Sequence, residues 1–174
     1  IGCVYGPGSS MWVDRIGLLL RSGRLGDLGA GGDGWSNLVH VNDIAGAVIA
    51  YLRAPSPGVS IYNLAAPDSP RWNTYFKSLC REIGATPLRY KTSTAMAVES
   101  KLIAPPLKAW ERLSDRRLLW PLGIQSMPPS LLRLWAQQIR LDSTKASSDL
   151  DLEWTSYDSG VADSARYFQE KHGR

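Results

Sequence analysis

The sequence predicts an α/β fold over residues 1–90 and a mainly helical region over residues 91–174. In the first part, apolar segments typical of strands alternate with amphipathic segments typical of helices, as in a sheet covered by helices. In the second part, prolines repeatedly interrupt helical patterns, which predicts several short helices.

The first predicted unit is a strand, a turn and a helix. Residues 1–5 have the composition of a strand, and Gly6-Pro7-Gly8 is a turn cluster. Four apolar residues then recur at helical spacing until Gly23, which is placed to end the helix in a left-handed conformation: Val13, Ile16, Leu19 and Leu20.

The second unit is another strand and helix. Residues 37–41 predict a strand that is buried on both faces, because the run is apolar. Asn42 and Asp43 are placed to cap the next helix, which the prolines at 55 and 57 are expected to end. A third strand is predicted over residues 59–64.

The remaining elements are mainly helical. Ser69 and Pro70 predict the start of the clearest amphipathic helix, and residues 88–90 predict a short strand. Ser159 predicts the start of the last helix, in which Arg166 and Glu170 are spaced as an exposed i,i+4 ion pair. Between them, prolines divide the chain at three places: Pro105-Pro106, Pro121 and Pro128-Pro129.

Composition excludes several classes of protein. The 174 residues carry a net charge of +4 without a basic stripe, so nucleic acid is not an expected partner. Apolar runs fall far short of the ~20 residues that cross a bilayer. Cys3 and Cys80 lie far apart, and His40 and His172 are the two histidines, so neither a disulfide framework nor a metal site is expected. A cytoplasmic location is the resulting expectation.

Two motifs resemble catalytic or binding sequences without their structural context. Residues 29–34 read Gly-Ala-Gly-Gly-Asp-Gly, but a predicted strand follows where a phosphate-binding loop needs a helix, so a mobile loop is expected. Tyr167 and Lys171 have the spacing of a proton-transfer pair but lie in the last eight residues, where a solvated lysine is expected. His40 is expected to be a hydrogen-bonded core histidine.

Four segments together resemble a known family. Val4-Tyr5-Gly6-Pro7-Gly8, Gly32-Asp33-Gly34, the run Leu-Val-His-Val-Asn-Asp-Ile-Ala at 38–45, and Ile61-Tyr62-Asn63-Leu64 occur in this order. Over residues 1–85 they resemble the C-terminal half of extended short-chain dehydrogenases/reductases of the NAD-dependent epimerase/dehydratase group. Residues 145–157, around Trp154, loosely resemble the family's closing segment.

The resemblance implies a fold and a cofactor. The fold would be the C-terminal portion of a Rossmann-like doubly wound sheet plus a small, mostly helical substrate-binding region. The family's glycine-rich loop and its Tyr-x-x-x-Lys pair belong upstream of Val4, and Ile1 opens within a strand, so a fragment without the dinucleotide-binding half is expected. NAD or NADP is the implied cofactor, with its main determinants upstream, and no catalytic residue is assigned here.

The resemblance also implies site residues. Val4, Tyr5, Gly6 and Pro7 would lie at the carboxyl end of a parallel strand and approach the nicotinamide. Trp12, Trp35 and Asn37 would line the substrate cleft.

Substrate class stays open between a sugar derivative and an apolar alcohol or ketone. Several UDP-sugar members of the family carry an arginine before the His-Val motif, where this chain has Trp35-Ser36-Asn37. That favours an uncharged or apolar ligand, unless Arg15, Arg21 or Arg71 reaches the cleft.

Two alternatives belong to other functional classes. One is a binding or regulatory protein that keeps the fold without catalysis. The other is an interfacial membrane helix over residues 101–120; burial explains its leucines equally well, so membrane contact is not expected. A small-molecule substrate is the expected partner, and a homodimer stays open.

Overall fold

The computed structural model describes residues 1–53, 59–113 and 126–173. In these residues the chain has a mixed α/β fold that is mostly helical. The sheet of the described part has two parallel strands, β1 (Cys3–Tyr5) and β2 (Leu38–His40). Cys3 lies opposite Leu38 and Tyr5 lies opposite His40, so both strands end at the same edge.

Helices make up most of the rest of the described chain. A π-helical turn at Ser10–Asp14 precedes α1, a 3-10 turn lies at Gly29–Gly32, and a second π-helical turn at Glu99–Ile103 joins α4 to α5. The helices are α1 (Arg15–Arg21), α2 (Val41–Arg53), α3 (Trp72–Glu82), α4 (Ser93–Val98), α5 (Ala104–Leu113), α6 (Pro129–Trp135), α7 (Thr144–Leu150) and α8 (Tyr157–His172).

The larger core lies between α1, α3 and α8. The predicted amphipathic face of α3 is confirmed, since its aromatic and aliphatic side chains are buried: Trp72, Tyr75, Phe76, Leu79 and Cys80. Burial of each large apolar side chain stabilises the fold by about 1.5–3 kcal/mol. A smaller core joins β2 and α2 to α7 through Val39, Ala47 and Ala146.

Two predicted strands do not form as strands. In residues 59–64, Val59 and Ile61 are 102% and 85% exposed, because no described neighbour covers them. This segment joins the sheet only at its end, where Gly2 donates to the carbonyl of Leu64. Residues 88–90 make a single bridge, between Asp27 and Tyr90. The predicted doubly wound sheet is therefore represented by two described strands.

Two predicted helix caps have other tasks. Strand β2 runs directly into α2 at Val41, so Asp43 lies inside the first turn, and its Oδ1 accepts from the backbone amide (2.9 Å) and hydroxyl (2.6 Å) of Thr155. Ser69 does not cap α3, which begins at Trp72; its Oγ accepts instead from the amide of Leu38 at 2.6 Å. Long-range partners have replaced the local ones in both cases.

The last helix begins earlier than its sequence suggests. Helix α8 starts at Tyr157, and the Oγ of Ser156, not Ser159, provides the cap by accepting from the Ser159 amide. Arg166 pairs with Asp163 at 3.0 Å rather than with Glu170, because the i−3 carboxylate is within its reach.

The other predicted boundaries have mixed outcomes. Gly23 has a φ of 65°, as expected of a left-handed cap after α1. Pro105 and Pro106 lie in the first turn of α5, where a missing amide proton costs little. Three prolines that were predicted to end or interrupt helices lie outside the described residues: Pro55, Pro57 and Pro121. Part of the 101–120 segment also lies outside them. The division at residue 90 stays a prediction.

Among the described helices, none has both the length and the apolar character needed to span a membrane.

Candidate functional site

The carboxyl ends of β1 and β2 form one edge of the sheet, and a tight turn follows β1 there. Gly6 has a φ of 113°, a conformation that favours glycine. A Cβ on Gly6 would lie 2.7 Å from Nε2 of His40, the last residue of β2. Glycine is therefore required at this position both by the backbone conformation and by the close approach of the imidazole.

The Gly6-Pro7-Gly8 turn is held from one side only. The hydroxyl of Ser9 donates to the carbonyl of Val4 at 2.9 Å, and the amide of Ser9 donates to the carbonyl of Gly6 at 3.2 Å. On the other side, Pro7 and Gly8 are exposed, and a Cβ on Gly8 would meet no atom within 4 Å. The outer face of the turn is open to a ligand.

Tyr5 does not face that opening. Its ring is buried among His40 and Tyr75, at centroid distances of 5.4 and 6.1 Å, and its hydroxyl lies against Gly160 of α8. Burial, assisted by the charge of Asp68, raises the pKa of Tyr5 well above its ordinary value, so the phenol stays protonated. A cofactor at this edge would meet the turn's backbone and Pro7 rather than the Tyr5 side chain.

His40 is buried as expected but only partly hydrogen-bonded. The backbone amide of Asn42 donates to Nδ1 at 3.4 Å. Nε2, which faces Gly6, has no hydrogen-bond partner among the described residues. The imidazole is thus a rigid support beneath the turn.

The glycine-rich segment does not supply a dinucleotide cradle. Residues Gly29–Gly32 form a 3-10 turn, and after Gly34 the chain enters β2 rather than a helix. Without a helix N-terminus there, amides and dipole are not aimed at a pyrophosphate. Residues 29–34 therefore do not fit the diphosphate of a dinucleotide.

The three predicted substrate residues lie on two separate segments of the chain. Trp12, in the π-helical turn, packs on Trp72 with ring centroids 5.1 Å apart, and its carbonyl accepts from the Tyr75 hydroxyl at 2.6 Å. Trp35 and Asn37 precede β2 and so lie at its amino end. A three-residue parallel strand separates that end from the Gly6 turn by roughly 10 Å.

At the amino end, two arginines lie on Trp35. The guanidinium carbons of Arg71 and Arg140 are 4.2 and 4.4 Å from the centre of the indole. We call these three residues the Trp35 cluster. The sequence showed no cation at positions 35–39, but the fold brings two there from distant segments. The argument for an uncharged ligand, which rested on the absence of a cation near Trp35, therefore no longer holds.

Of the arginines considered from sequence, Arg71 alone belongs to this cluster. Arg15 donates to the carbonyl of Ser126, and Arg21 donates to the carbonyl of His172 at 2.7 Å. The sequence around Arg140 did not indicate its place in the cluster, because it is positioned by contacts with residues about a hundred positions earlier.

Asn37 holds the segment that carries Arg140. Its Nδ2 donates to the carbonyl of Ile139 and its Oδ1 accepts from the amide of Leu141, both at 2.9 Å. The two bonds bracket Arg140, and they use both ends of the Asn37 amide. Asn37 thus has a positioning task, and its predicted direct contact with substrate stays a prediction.

The Tyr167 and Lys171 pair is present but belongs to an ion-pair cluster around the buried Asp14. Lys171 Nζ donates to the Tyr167 hydroxyl and to Oδ2 of Asp14, both at 2.8 Å, and His172 Nε2 lies 2.9 Å from the other Asp14 oxygen. Hydrogen bonds to Asp14 and Tyr167 raise the pKa of Lys171. Because Asp14 is fully buried, its ion pairs fix α8 to the π-helical turn. The Lys171 side chain is nevertheless 43% exposed beside the partly buried Tyr167, as the sequence predicted.

Other chemistry-bearing groups are inert or dispersed. Both cysteines are free thiols, and burial raises the pKa of Cys3 to about 12 and also raises that of Cys80. Within residues 1–53, 59–113 and 126–173, no three His, Cys, Asp or Glu side chains are grouped to hold a metal ion.

Comparison with known proteins places the fold. No protein-family model matches the chain. Protein YeeZ of Escherichia coli strain K12 is 33% identical over 93 residues, which cover 50% of this chain and 34% of YeeZ, and YeeZ of strain O157:H7 matches equally. The chain thus matches about a third of the length of these curated relatives.

A solved structure resembles almost the whole chain. It is the UDP-glucuronic acid 4-epimerase of Bacillus cereus, in complex with UDP-glucuronic acid and NAD. The TM-score is 0.59 at 14% sequence identity, over 98% of this chain and 44% of the epimerase. The chain therefore has the fold of a part, less than half, of an NAD-dependent epimerase.

Proposed function

We propose that this chain is the substrate-binding C-terminal part of an NAD(P)-dependent oxidoreductase, epimerase or dehydratase. In such proteins the nicotinamide supplies the hydride chemistry, and the protein orients the substrate. The segment that cradles the dinucleotide phosphates would lie outside these 174 residues. By itself the chain would be inactive.

One observation carries the proposal: the Gly6-Pro7-Gly8 turn lies at the carboxyl edge of a parallel strand, in a fold like that of an NAD-dependent epimerase. Open α/β sheets bind ligands at this edge. The turn is supported from below by Ser9 and His40, and its outer face at Gly8 is open. This backbone is suited to close approach by a flat ring.

Two substrate classes were open from sequence, and the Trp35 cluster bears on the choice. Arg71 and Arg140 place two cations beside the residues expected to meet substrate. Two cations favour a polar sugar derivative over an apolar alcohol or ketone, which would offer no group to interact with their charge. A sugar derivative is therefore the proposed substrate class.

Calorimetric titration tests the cofactor assignment. The 174-residue chain should not bind NAD or NADP in the low micromolar range, about −8 kcal/mol, whereas the longer gene product that contains it should. Tight binding by the 174 residues would contradict the proposal, because it would place a phosphate cradle within them. Absence of binding by the longer protein would favour a binding or regulatory protein without cofactor chemistry.

A matched pair of variants locates the contact. Gly8 and Gly84 both have positive φ, 88° and 71°, and a Cβ would meet nothing within 4 Å at either. Gly8→Ala and Gly84→Ala should therefore carry similar strain. Only Gly8→Ala should weaken cofactor binding by the longer gene product. Equal affinities in the two variants would contradict a cofactor at the turn.

A further inference from the structure

Helix α2 buries one side and exposes apolar residues on the other. Asp43 and Ala47 are buried, and Ala47 belongs to the smaller core that joins α2 to β2 and α7. Val48, Ile49 and Leu52 lie on the opposite side of the helix and are exposed. Apolar residues on both sides are typical of a helix that is covered on both sides. Within the described part of the chain, the outer side of α2 has no cover.

More exposed apolar residues lie beside this helix. Val59 and Ile61 are largely exposed, and the ring of Tyr62 contacts that of Tyr51 on α2, with centroids 6.3 Å apart. The segment 59–64 therefore runs next to α2. We call the exposed aliphatic side chains of both elements the α2 surface: Val48, Ile49, Leu52, Val59 and Ile61. Large exposed apolar patches are rare on monomeric proteins, and they mark interaction sites.

The backbone of the same segment lies at an open edge of the sheet. The amide of Gly2 donates to the carbonyl of Leu64 at 2.7 Å, whereas the next amide, that of Cys3, donates to Asn37 at 2.8 Å on the side of β2. Successive amides of a strand point to opposite sides, so Leu64 lies on the edge of β1 that β2 does not occupy. Among the described residues, no backbone hydrogen bond joins residues 59–63 to the sheet. An edge of this kind is a template for a further strand.

The fold comparison indicates what covers this surface. The NAD-dependent epimerase matches 98% of this chain, whereas the chain covers 44% of the epimerase. More than half of that fold therefore has no counterpart in these 174 residues. A lipid surface is a poorer candidate, because an interfacial helix carries several basic residues and α2 carries one, Arg53.

We propose that the α2 surface is the docking site for the dinucleotide-binding half of the longer protein. That half would cover Val48 and Leu52 and add a strand along residues 59–63. The inference rests on the proposed function, because it takes this chain to be part of such a protein. Burial of the aliphatic side chains would stabilise the contact, and backbone hydrogen bonds to residues 59–63 would set its register. Since α2 continues directly from β2, docking would also fix the edge that carries the Gly6-Pro7-Gly8 turn.

The test compares variants in the 174-residue chain and in the longer protein that we propose contains it. Leu52 and Leu102 are exposed to the same degree, 71% and 69%, so Leu52→Gln and Leu102→Gln form a matched pair. In the 174-residue chain neither variant should lower the melting temperature by more than about 2 °C, because exposed positions contribute little to stability. In the longer protein Leu52→Gln should lower it by roughly 5 °C or more, because an amide enters an apolar interface. Leu102→Gln should again have little effect.

Two measurements on the unsubstituted proteins complete the test. Hydrogen–deuterium exchange at residues 59–63 should be fast in the 174-residue chain and slow in the longer protein, since an added strand would protect these amides. Analytical ultracentrifugation of the longer protein and its Leu52→Gln variant shows whether a second copy occupies the surface instead. We expect the two to have the same oligomeric state.

Three results would overturn the proposal. The first is equal melting temperatures for Leu52→Gln and Leu102→Gln in the longer protein. The second is fast exchange at residues 59–63 in the longer protein. The third is a dimer of the longer protein that Leu52→Gln dissociates, which would identify a second copy as the occupant. NAD binding by the longer protein, measured by calorimetry, tests the proposed function separately: it can be present when docking fails, and absent when docking holds.

Discussion

Replacement of Asn37 by alanine should destabilise the fold by about 2–3 kcal/mol. The side chain makes two hydrogen bonds, to Ile139 and Leu141, at 2.9 Å each. On a partly exposed residue these contribute about 1–2 kcal/mol together. Asn37 also has a φ of 45°, where alanine costs about 1 kcal/mol more than a residue that tolerates the left-handed region.

Two further variants separate these contributions. Asn37→Gly removes both hydrogen bonds without the left-handed strain, so its cost should be smaller than that of alanine, about 1–2 kcal/mol. Asn37→Asp keeps the acceptor for the Leu141 amide but places a carboxylate oxygen against the Ile139 carbonyl. Its cost should rise with pH, as the carboxyl group ionises.

Urea unfolding, followed by circular dichroism, gives the free energies of unfolding. The reasoning fails if Asn37→Ala unfolds at the wild-type urea concentration. It also fails if Asn37→Gly costs as much as Asn37→Ala, since the left-handed strain would then be absent.

Three other predictions concern the fold. Asp43→Ala should lower the free energy of unfolding by about 1.5–3 kcal/mol, because the two hydrogen bonds from Thr155 are lost. Asp43→Asn keeps an acceptor oxygen and should lower it less. Equal melting temperatures for wild type and Asp43→Ala would contradict this. Gly160→Ala should destabilise the fold by about 1–3 kcal/mol, because its Cβ would overlap the Tyr5 hydroxyl. Gly46→Ala, which lies in open space within α2, should stabilise it by about 1 kcal/mol. If urea unfolding showed Gly160→Ala to be the more stable variant, the packing of α8 on β1 would be refuted. Burial raises the pKa of Cys3 from 9.0 to about 12, so the thiol ionises first in the unfolded chain, and its contribution to folding stability is complete below pH about 9 and lost as pH rises toward 12. The free energy of unfolding should therefore fall between pH 8 and 10 more steeply in wild type than in Cys3→Ala. Parallel slopes would show that the pKa of the thiol is ordinary.

The sequence predicted correctly those elements whose pattern lies within a short stretch of the chain. The apolar spacing of α3 and the mostly apolar sequence of β2 both correspond to buried surfaces in the structure. The strand after Gly34 was also sufficient to reject a phosphate loop at residues 29–34. In each case the signal lies within a few residues of the feature that it predicts.

Long-range partners account for what the sequence did not show. Ser69 has the local pattern of a cap, but the amide of Leu38, 31 positions earlier, takes its hydroxyl. Asp43 similarly serves Thr155, and Asp14 serves Lys171. The Trp35 cluster joins three separate segments, so no window of sequence contains it. Exposed Val59 and Ile61 show the converse, a strand-like composition without a described neighbouring strand.

Hydrogen–deuterium exchange of the longer protein that we propose contains this chain, with and without NAD, tests the central claim most directly. If the Gly6-Pro7-Gly8 turn meets the nicotinamide, NAD should slow exchange in peptides covering residues 4–9 and leave residues 29–34 unchanged. Protection at residues 29–34 without protection at residues 4–9 would contradict the account, because the cofactor would then lie on the glycine-rich segment and not at the carboxyl edge of β1.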